Sequence, residues 1–89
     1  MQISEFQEHI RTKYSQRDQE RGSSATFMWF IEEVGELATA LQENDPKNRE
    51  EEFADVMAWL FTLANINGVD MSKAIQDKYF KNGGPEGYK

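Results

Sequence analysis

Apolar residues along this chain recur every three or four positions, the period of a helix with one buried face, and no stretch alternates with the two-residue period of a strand. Ile3, Phe6, Ile10 and Tyr14 mark a first helix, with Ser4 and Gln7 in capping-box spacing at its start. The stretch from Tyr14 to Ser24 is polar and contains Gly22-Ser23-Ser24, which reads as the end of that helix and a mobile connection. From Ser24 as N-cap, a second helix carries Phe27, Phe30, Ile31, Val34, Leu37, Ala38 and Leu41 on one stripe. Asn44-Asp45-Pro46 closes it, and Asp45 with Pro46 supplies the cap and first position of a third helix. So short a break makes the two helices antiparallel neighbours. The third stripe is Phe53, Val56, Met57, Leu60, Leu63 and Ala64, stopped by Asn67-Gly68. Asp70 or Ser72 caps a shorter fourth helix through Ala74, Ile75, Tyr79 and Phe80, ended by Gly83-Gly84-Pro85. The pattern predicts an all-α antiparallel bundle of about four helices in a single domain, residues 1–89.

Size and charge narrow what such a bundle does. A chain of 89 residues buries only roughly 60% of the surface its unfolded form exposes, and with no cysteine it has no disulfide or thiolate metal site to reinforce it. Oligomerisation is the expected support, and six Phe, two Trp and four Met suit a helix–helix interface as well as a core. The net charge of −6 is the wrong sign for a protein that grips a nucleic acid polymer. No run reaches the ~20 apolar residues of a membrane span, and Met1-Gln2-Ile3-Ser4-Glu5 is too polar for a signal peptide. A cytoplasmic protein is expected.

The negative charge is local. Between Glu32 and Asp55 lie nine acidic and two basic residues, a net −7, while the rest of the chain is +1. Glu33 and Glu36 lie three apart on one helix, and Glu52 and Asp55 three apart on the next, so each pair shares a face beside its helix's apolar stripe. If the stripes pack antiparallel, the two pairs converge. Two readings fit. One is a pair of solvated acidic faces, helped for Glu50 and Glu51 by their place early in a helix, where the macrodipole favours acids. The other is a cation site: clustered carboxylates repel unless neutralised, and all-oxygen ligands select magnesium or manganese over zinc.

Glu32-Glu33-Val34-Gly35-Glu36-Leu37, then Glu51-Glu52-Phe53-Ala54-Asp55-Val56, resembles the E-x-x-E, spacer, E-x-x-D signature of the MazG-like all-α nucleotide pyrophosphohydrolases, with 15 residues between Glu36 and Glu52. Lys78-Tyr79-Phe80-Lys81-Asn82 is similar to that family's later K-x-x-x-N element, and the resemblance covers roughly residues 25–82. It implies a helical domain whose site is completed in a homodimer or a dimer of dimers. The implied reaction is magnesium-dependent hydrolysis of a nucleoside triphosphate, ribo or deoxy, to monophosphate and pyrophosphate, with manganese as an alternative ion. It places Glu33, Glu36, Glu52 and Asp55 as metal ligands, Lys78 and Asn82 against substrate, and Glu32 or Glu33 as general base.

Other residues carry two readings each. Trp29 precedes Glu33 by four positions and Trp59 follows Asp55 by four, so both border the acidic side, to stack on a nucleobase or to pack a subunit interface. Gly35 within a helix permits a close helix approach. Asn65 and Asn67 read as a helix end, and His9 as a bland surface residue. The polar Lys13–Ser24 stretch, with no aromatic beyond Tyr14, leaves base selectivity loose or supplied by a partner subunit. Phosphoribosyl-ATP hydrolysis and a non-catalytic helical interaction protein are the alternatives. A di-iron carboxylate site wants Glu-x-x-His pairs that a lone His9 cannot provide.

Overall fold

The computed structural model describes residues 1–81 and contains no strand among them. Three α-helices follow in order: α1 (Ile3–Ala40), α2 (Pro46–Ile66) and α3 (Met71–Ile75), the last continuing into a π-helical segment, Gln76–Phe80. Four helices were expected; the first two follow one another within α1 as two helical arms, separated by a break inside the expected Tyr14–Ser24 stretch. The break falls at Gly22, whose φ of 81° and ψ of 171° leave helical space and favour glycine. It divides α1 into an N-terminal and a C-terminal arm. The polar Tyr14–Ser24 stretch is helical on both sides of that residue, not a mobile connection, because its side chains find partners. Arg21 donates to Asp18 Oδ1 at 3.0 and 3.2 Å and, across the kink, to Thr26 Oγ1 at 3.2 Å. Asp18 and Thr26 are buried.

The other boundaries follow their capping chemistry. Asp45 accepts from the Asn48 N–H at 3.1 Å, with Pro46 at the first helical position of α2. After Asn67 the chain turns through Gly68 at φ 69°, and Val69 N–H reaches back to the Ala64 carbonyl at 2.8 Å, the long bond of a Schellman turn. Asp70, not Ser72, caps α3, accepting from Lys73 N–H at 3.1 Å. At the N-terminus, Gln2 N–H donates to Glu5 at 2.7 Å. The expected Ser4–Gln7 box gives way to Gln2 and Glu5 because Gln7 is engaged elsewhere.

Gln7 is buried and ties the N-terminal arm to the α2–α3 turn. Its amide donates to Asn65 Oδ1 at 2.9 Å and to the Val69 carbonyl at 2.7 Å, and its oxygen accepts from Met71 N–H at 2.9 Å. Asn65, read as a plain helix end, returns a bond to the Gln7 carbonyl at 3.3 Å and accepts from Arg11 at 3.0 Å. Asn67 donates to Ser23 Oγ and to the Leu63 carbonyl, each at 2.9 Å, which suits a helix end. Polar side chains so placed set where the arms lie, since each left unpaired in the interior would carry a desolvation penalty.

The apolar core is thin. Among the described residues the buried apolar side chains are Ile10, Ala40, Phe61 and Ala64. Phe61 packs its ring on Phe6 with centroids 5.1 Å apart, yet it lies off the stripe read from the sequence. The reason is that α2 is contacted on two sides, by Phe6 and Gln7 of the N-terminal arm and by Trp29 of the C-terminal arm. The stripes are therefore only half used. Phe27, Ile31 and Val34 of α1, Leu41 just after it, and Phe53 and Met57 of α2 stay exposed, Phe53 at 54%. Gly35 makes no close helix approach within the chain, since an added Cβ would meet nothing within 4 Å. No helix among the described residues is long and apolar enough to cross a membrane.

Gln7→Ala should lower stability by about 1–3 kcal/mol, because it strands partners on three segments at once. Ser4→Ala, at an exposed position, should leave the melting temperature within a degree or so. Equal melting temperatures for the two variants, measured by circular dichroism, would contradict this account of the N-terminal arm.

Candidate metal centre

The C-terminal arm of α1 and the first half of α2 run side by side, joined by the turn around Gln42–Asp45. Helical spacing puts Glu33 and Glu36 on the side of α1 that meets α2, and Glu52 on the side of α2 that meets α1. Carboxylate oxygens of Glu33, Glu36 and Glu52 lie within 4.8 Å of one another. Glu33 and Glu52 are half-buried and Glu36 is exposed. Asp55, one turn beyond Glu52, stands outside this closest group, but its charge bears on both Glu33 and Glu52. The two pairs read from the sequence thus converge.

Electrostatics shows the strain of that convergence. Burial, then the charges of Glu36, Asp55 and Glu52, push the Glu33 carboxyl up to about 7. The Glu52 carboxyl is also raised, by desolvation and by Glu36 and Asp55. No lysine or arginine forms an ion pair with Glu33, Glu36, Glu52 or Asp55 among the described residues. The ion pairs that do form lie elsewhere: Arg11 with Glu8, Arg21 with Asp18, and Lys73 and Lys81 with Asp77 at 2.7 and 2.8 Å. The donor set is all carboxylate, faces one point, and has no protein counter-charge. Chemically it suits a hard divalent cation.

Other expected site residues fall at different distances from this cluster. Trp29 and Trp59 stack on each other across the two helices, with centroids 6.1 Å apart and planes 16° from parallel. The Arg21 guanidinium lies 5.0 Å over the Trp59 ring. Glu32 is exposed beside the cluster but outside it. Lys78 lies on the π-helical segment with its ammonium 5.7 Å from the Tyr79 ring, and no described contact links it to the carboxylates. Asn82 lies outside the described residues. His9 is exposed.

Sequence reasoning missed what borders the cluster on its other side. A cavity of about 290 Å³ opens between the N-terminal arm and α2, lined by Tyr14, Arg17, Asp18, Arg21, Asp55 and Trp59 with Ile10, Ala58 and Thr62. Asp18 is 3% exposed; one carboxylate oxygen takes both Arg21 bonds and the other has no partner. Burial raises the Asp18 carboxyl above its ordinary range, against the pull of Arg21 and Arg17. The Asp18–Arg21 spacing was a readable i, i+3 pair, but it carries meaning only if residues 14–24 are helical.

In the cation-free protein, Glu33→Gln should raise the melting temperature by a few degrees at pH 8. The sign follows from the raised carboxyl: Glu33 binds its proton more tightly folded than unfolded, so its charge opposes folding above about 7, and the penalty disappears as the pH falls below its unfolded value. The difference between wild type and variant should therefore vanish at pH 4. A variant less stable than wild type at pH 8 without cation would contradict it.

Comparison with known proteins bears on this geometry. The model of the MazG nucleotide pyrophosphohydrolase domain matches residues 21–83. A dATP/dGTP diphosphohydrolase from Cyanophage S-2L is 32% identical over 76 residues, which cover 85% of this chain and 69% of the phage protein.

Proposed function

The chain belongs to the MazG nucleotide pyrophosphohydrolase family and is an enzyme of that class, and from that premise we propose that it hydrolyses nucleoside triphosphates to the monophosphate and pyrophosphate with Mg²⁺, or Mn²⁺, held by Glu33, Glu36, Glu52 and Asp55. The single observation that carries the metal assignment is the convergence of carboxylates with no ion-pair partner among the described residues. A triphosphate is itself an anion, so these carboxylates alone would repel it. When bound, the ion supplies that missing charge, polarises phosphoryl oxygens and acidifies a water. In the reaction a water oxygen attacks the α-phosphorus, the bond to the bridging oxygen of the β-phosphate breaks, and pyrophosphate leaves. Glu33, inside the cluster, is the proposed acceptor of the water's proton; Glu32, exposed beside it, is the alternative. The phage relative's name, dATP/dGTP diphosphohydrolase, makes purine deoxynucleoside triphosphates the first substrates to try.

A second copy of the chain is part of the proposal, within a single cytoplasmic domain over residues 1–89. Phe27, Ile31 and Val34 of α1 and Phe53 and Met57 of α2 leave exposed apolar edges, and a patch of that kind marks an interface. Lys78, which has no described contact with the carboxylates, and Asn82 are the proposed substrate contacts. Trp29, half-exposed at 47%, is proposed to border the substrate with Trp59.

Pyrophosphate release from a panel of ribo- and deoxynucleoside triphosphates should require Mg²⁺ and stop with excess chelator. Glu36→Gln should lower turnover by about a hundredfold or more while keeping the helical signal. Full activity in that variant would overturn the ligand assignment. Sedimentation should show a dimer or larger species at micromolar concentration; a monomer at every concentration would overturn the shared site.

A further inference from the structure

Both arms of α1 rest on one α2 only because the backbone breaks at Gly22. Its φ of 81° and ψ of 171° lie in a region that glycine alone enters readily. Nothing crowds the residue: an added Cβ would meet no atom within 4 Å. The kink therefore depends on the backbone of one residue, not on packing around it. Helix continues on both sides, and the side-chain bond that spans the break runs from Arg21 to Thr26 Oγ1 at 3.2 Å. With helical dihedrals at Gly22, the 38 residues of α1 would form a rod about 57 Å long. The kinked chain measures 40 Å along its longest axis, so such a rod carries the N-terminal arm off its own α2.

The contacts that hold this arm are transferable. It grips α2 through Phe6 on Phe61, Gln7 on Asn65, and the Arg21 guanidinium over Trp59. None of these contacts runs through the kink, so the arm of another molecule can make each of them. We propose that Gly22 is the switch between two pairings of this chain. Kinked, each chain keeps its N-terminal arm on its own α2; helical, two copies trade arms and each arm lies on the partner's α2. Straightening alone would bare the buried Ile10 and Phe61, so the straight form is stable only as a reciprocal pair, which closes after two copies. The lengths match: the arm from Ile3 to Arg21 spans about 28 Å and the 21 residues of α2 about 32 Å. Dilution favours the kinked chain and concentration the pair. In the exchanged pair the partner's Arg21 lies over Trp59, so the second copy completes the ring stack beside the carboxylates.

Alanine disfavours the kinked backbone and favours the helical one, so Gly22→Ala should shift the balance toward exchange at least about tenfold. The chain has no cysteine, which makes an introduced pair unambiguous. Ser4 on the arm and Val69 on the α2–α3 turn are exposed and border one cavity. In a chain carrying both Ser4→Cys and Val69→Cys, a short bismaleimide should link the two positions within one chain, read on a denaturing gel. Adding Gly22→Ala should raise the ratio of between-chain to within-chain product at least about tenfold, with the helical circular dichroism kept. Adding Gly35→Ala instead, at a glycine already helical and equally open, should leave the ratio unchanged. Within-chain linkage persisting with Gly22→Ala, loss of its helical signal, or an equal rise with Gly35→Ala overturns the proposal. A second measurement keeps Gly22. Chains carrying Ser4→Cys alone and chains carrying Val69→Cys alone, refolded together at high concentration, should give the mixed cross-link. Mixed after folding, with their arms already seated, they should give far less. Equal yields from the two orders of mixing, or no mixed product from either, likewise overturn it.

Discussion

Repulsion among carboxylates is the constraint around which this molecule is arranged. Glu33, Glu36 and Glu52 offer oxygens within 4.8 Å of one another, at the meeting of two helices, with no lysine or arginine among the described residues paired to them. Bringing like charges together in a half-buried place costs free energy, and the raised Glu33 carboxyl shows where that cost falls. A fold selected only for stability has no use for such an arrangement. It is useful when the ligand is a polyanion that must arrive with a divalent ion, because the protein's excess charge and the ion's deficit then cancel in the complex.

Holding the repelling helices side by side falls to the rest of the chain, and polar contacts do much of it. Gln7 pins the N-terminal arm to the α2–α3 turn through partners on Asn65, Val69 and Met71. Arg21 spans the kink at Gly22, tying Asp18 to Thr26. The turn at Gly22 lets one long helix pack both of its arms on α2, with the carboxylates between α2 and one arm and the cavity between α2 and the other. Asp55 lines the cavity and bears on the carboxylates, while Trp59 lines the cavity and stacks on Trp29 of the other arm, which is how cluster and cavity come to adjoin. The apolar edges left over, Phe27 and Ile31 on α1 and Phe53 and Met57 on α2, belong to neither.

Local chemistry was legible in the sequence and arm-to-arm chemistry was not. Asp45-Pro46 and Asn67-Gly68 act within one turn of themselves, so their roles as cap and stop were readable from composition alone. The paired acids were readable too, because spacing of three fixes a helix face and a short connection fixes the neighbour. Gly22 was legible as a break between helices, but the polar stretch around it has the composition of a mobile linker, and the bonds among Asp18, Arg21 and Thr26 that hold it were not read. Phe61 and Gln7 escaped for the same reason. Gln7 shares the face of Ile3 and Ile10 but is polar, Phe61 lies at the edge of its stripe, and each is buried by a segment more than fifty residues away in the chain.

Direct cation binding tests the central claim. Titrating Mn²⁺ into the nucleotide-free protein at pH 8, with the free ion read by electron paramagnetic resonance, should show saturable binding to wild type. Glu36→Gln and Glu52→Gln should each weaken that binding at least about tenfold, and Glu8→Gln, on the exposed face of the N-terminal arm, should leave it unchanged. Wild type that binds no Mn²⁺, or binds it equally well without Glu36 and Glu52, would contradict the account.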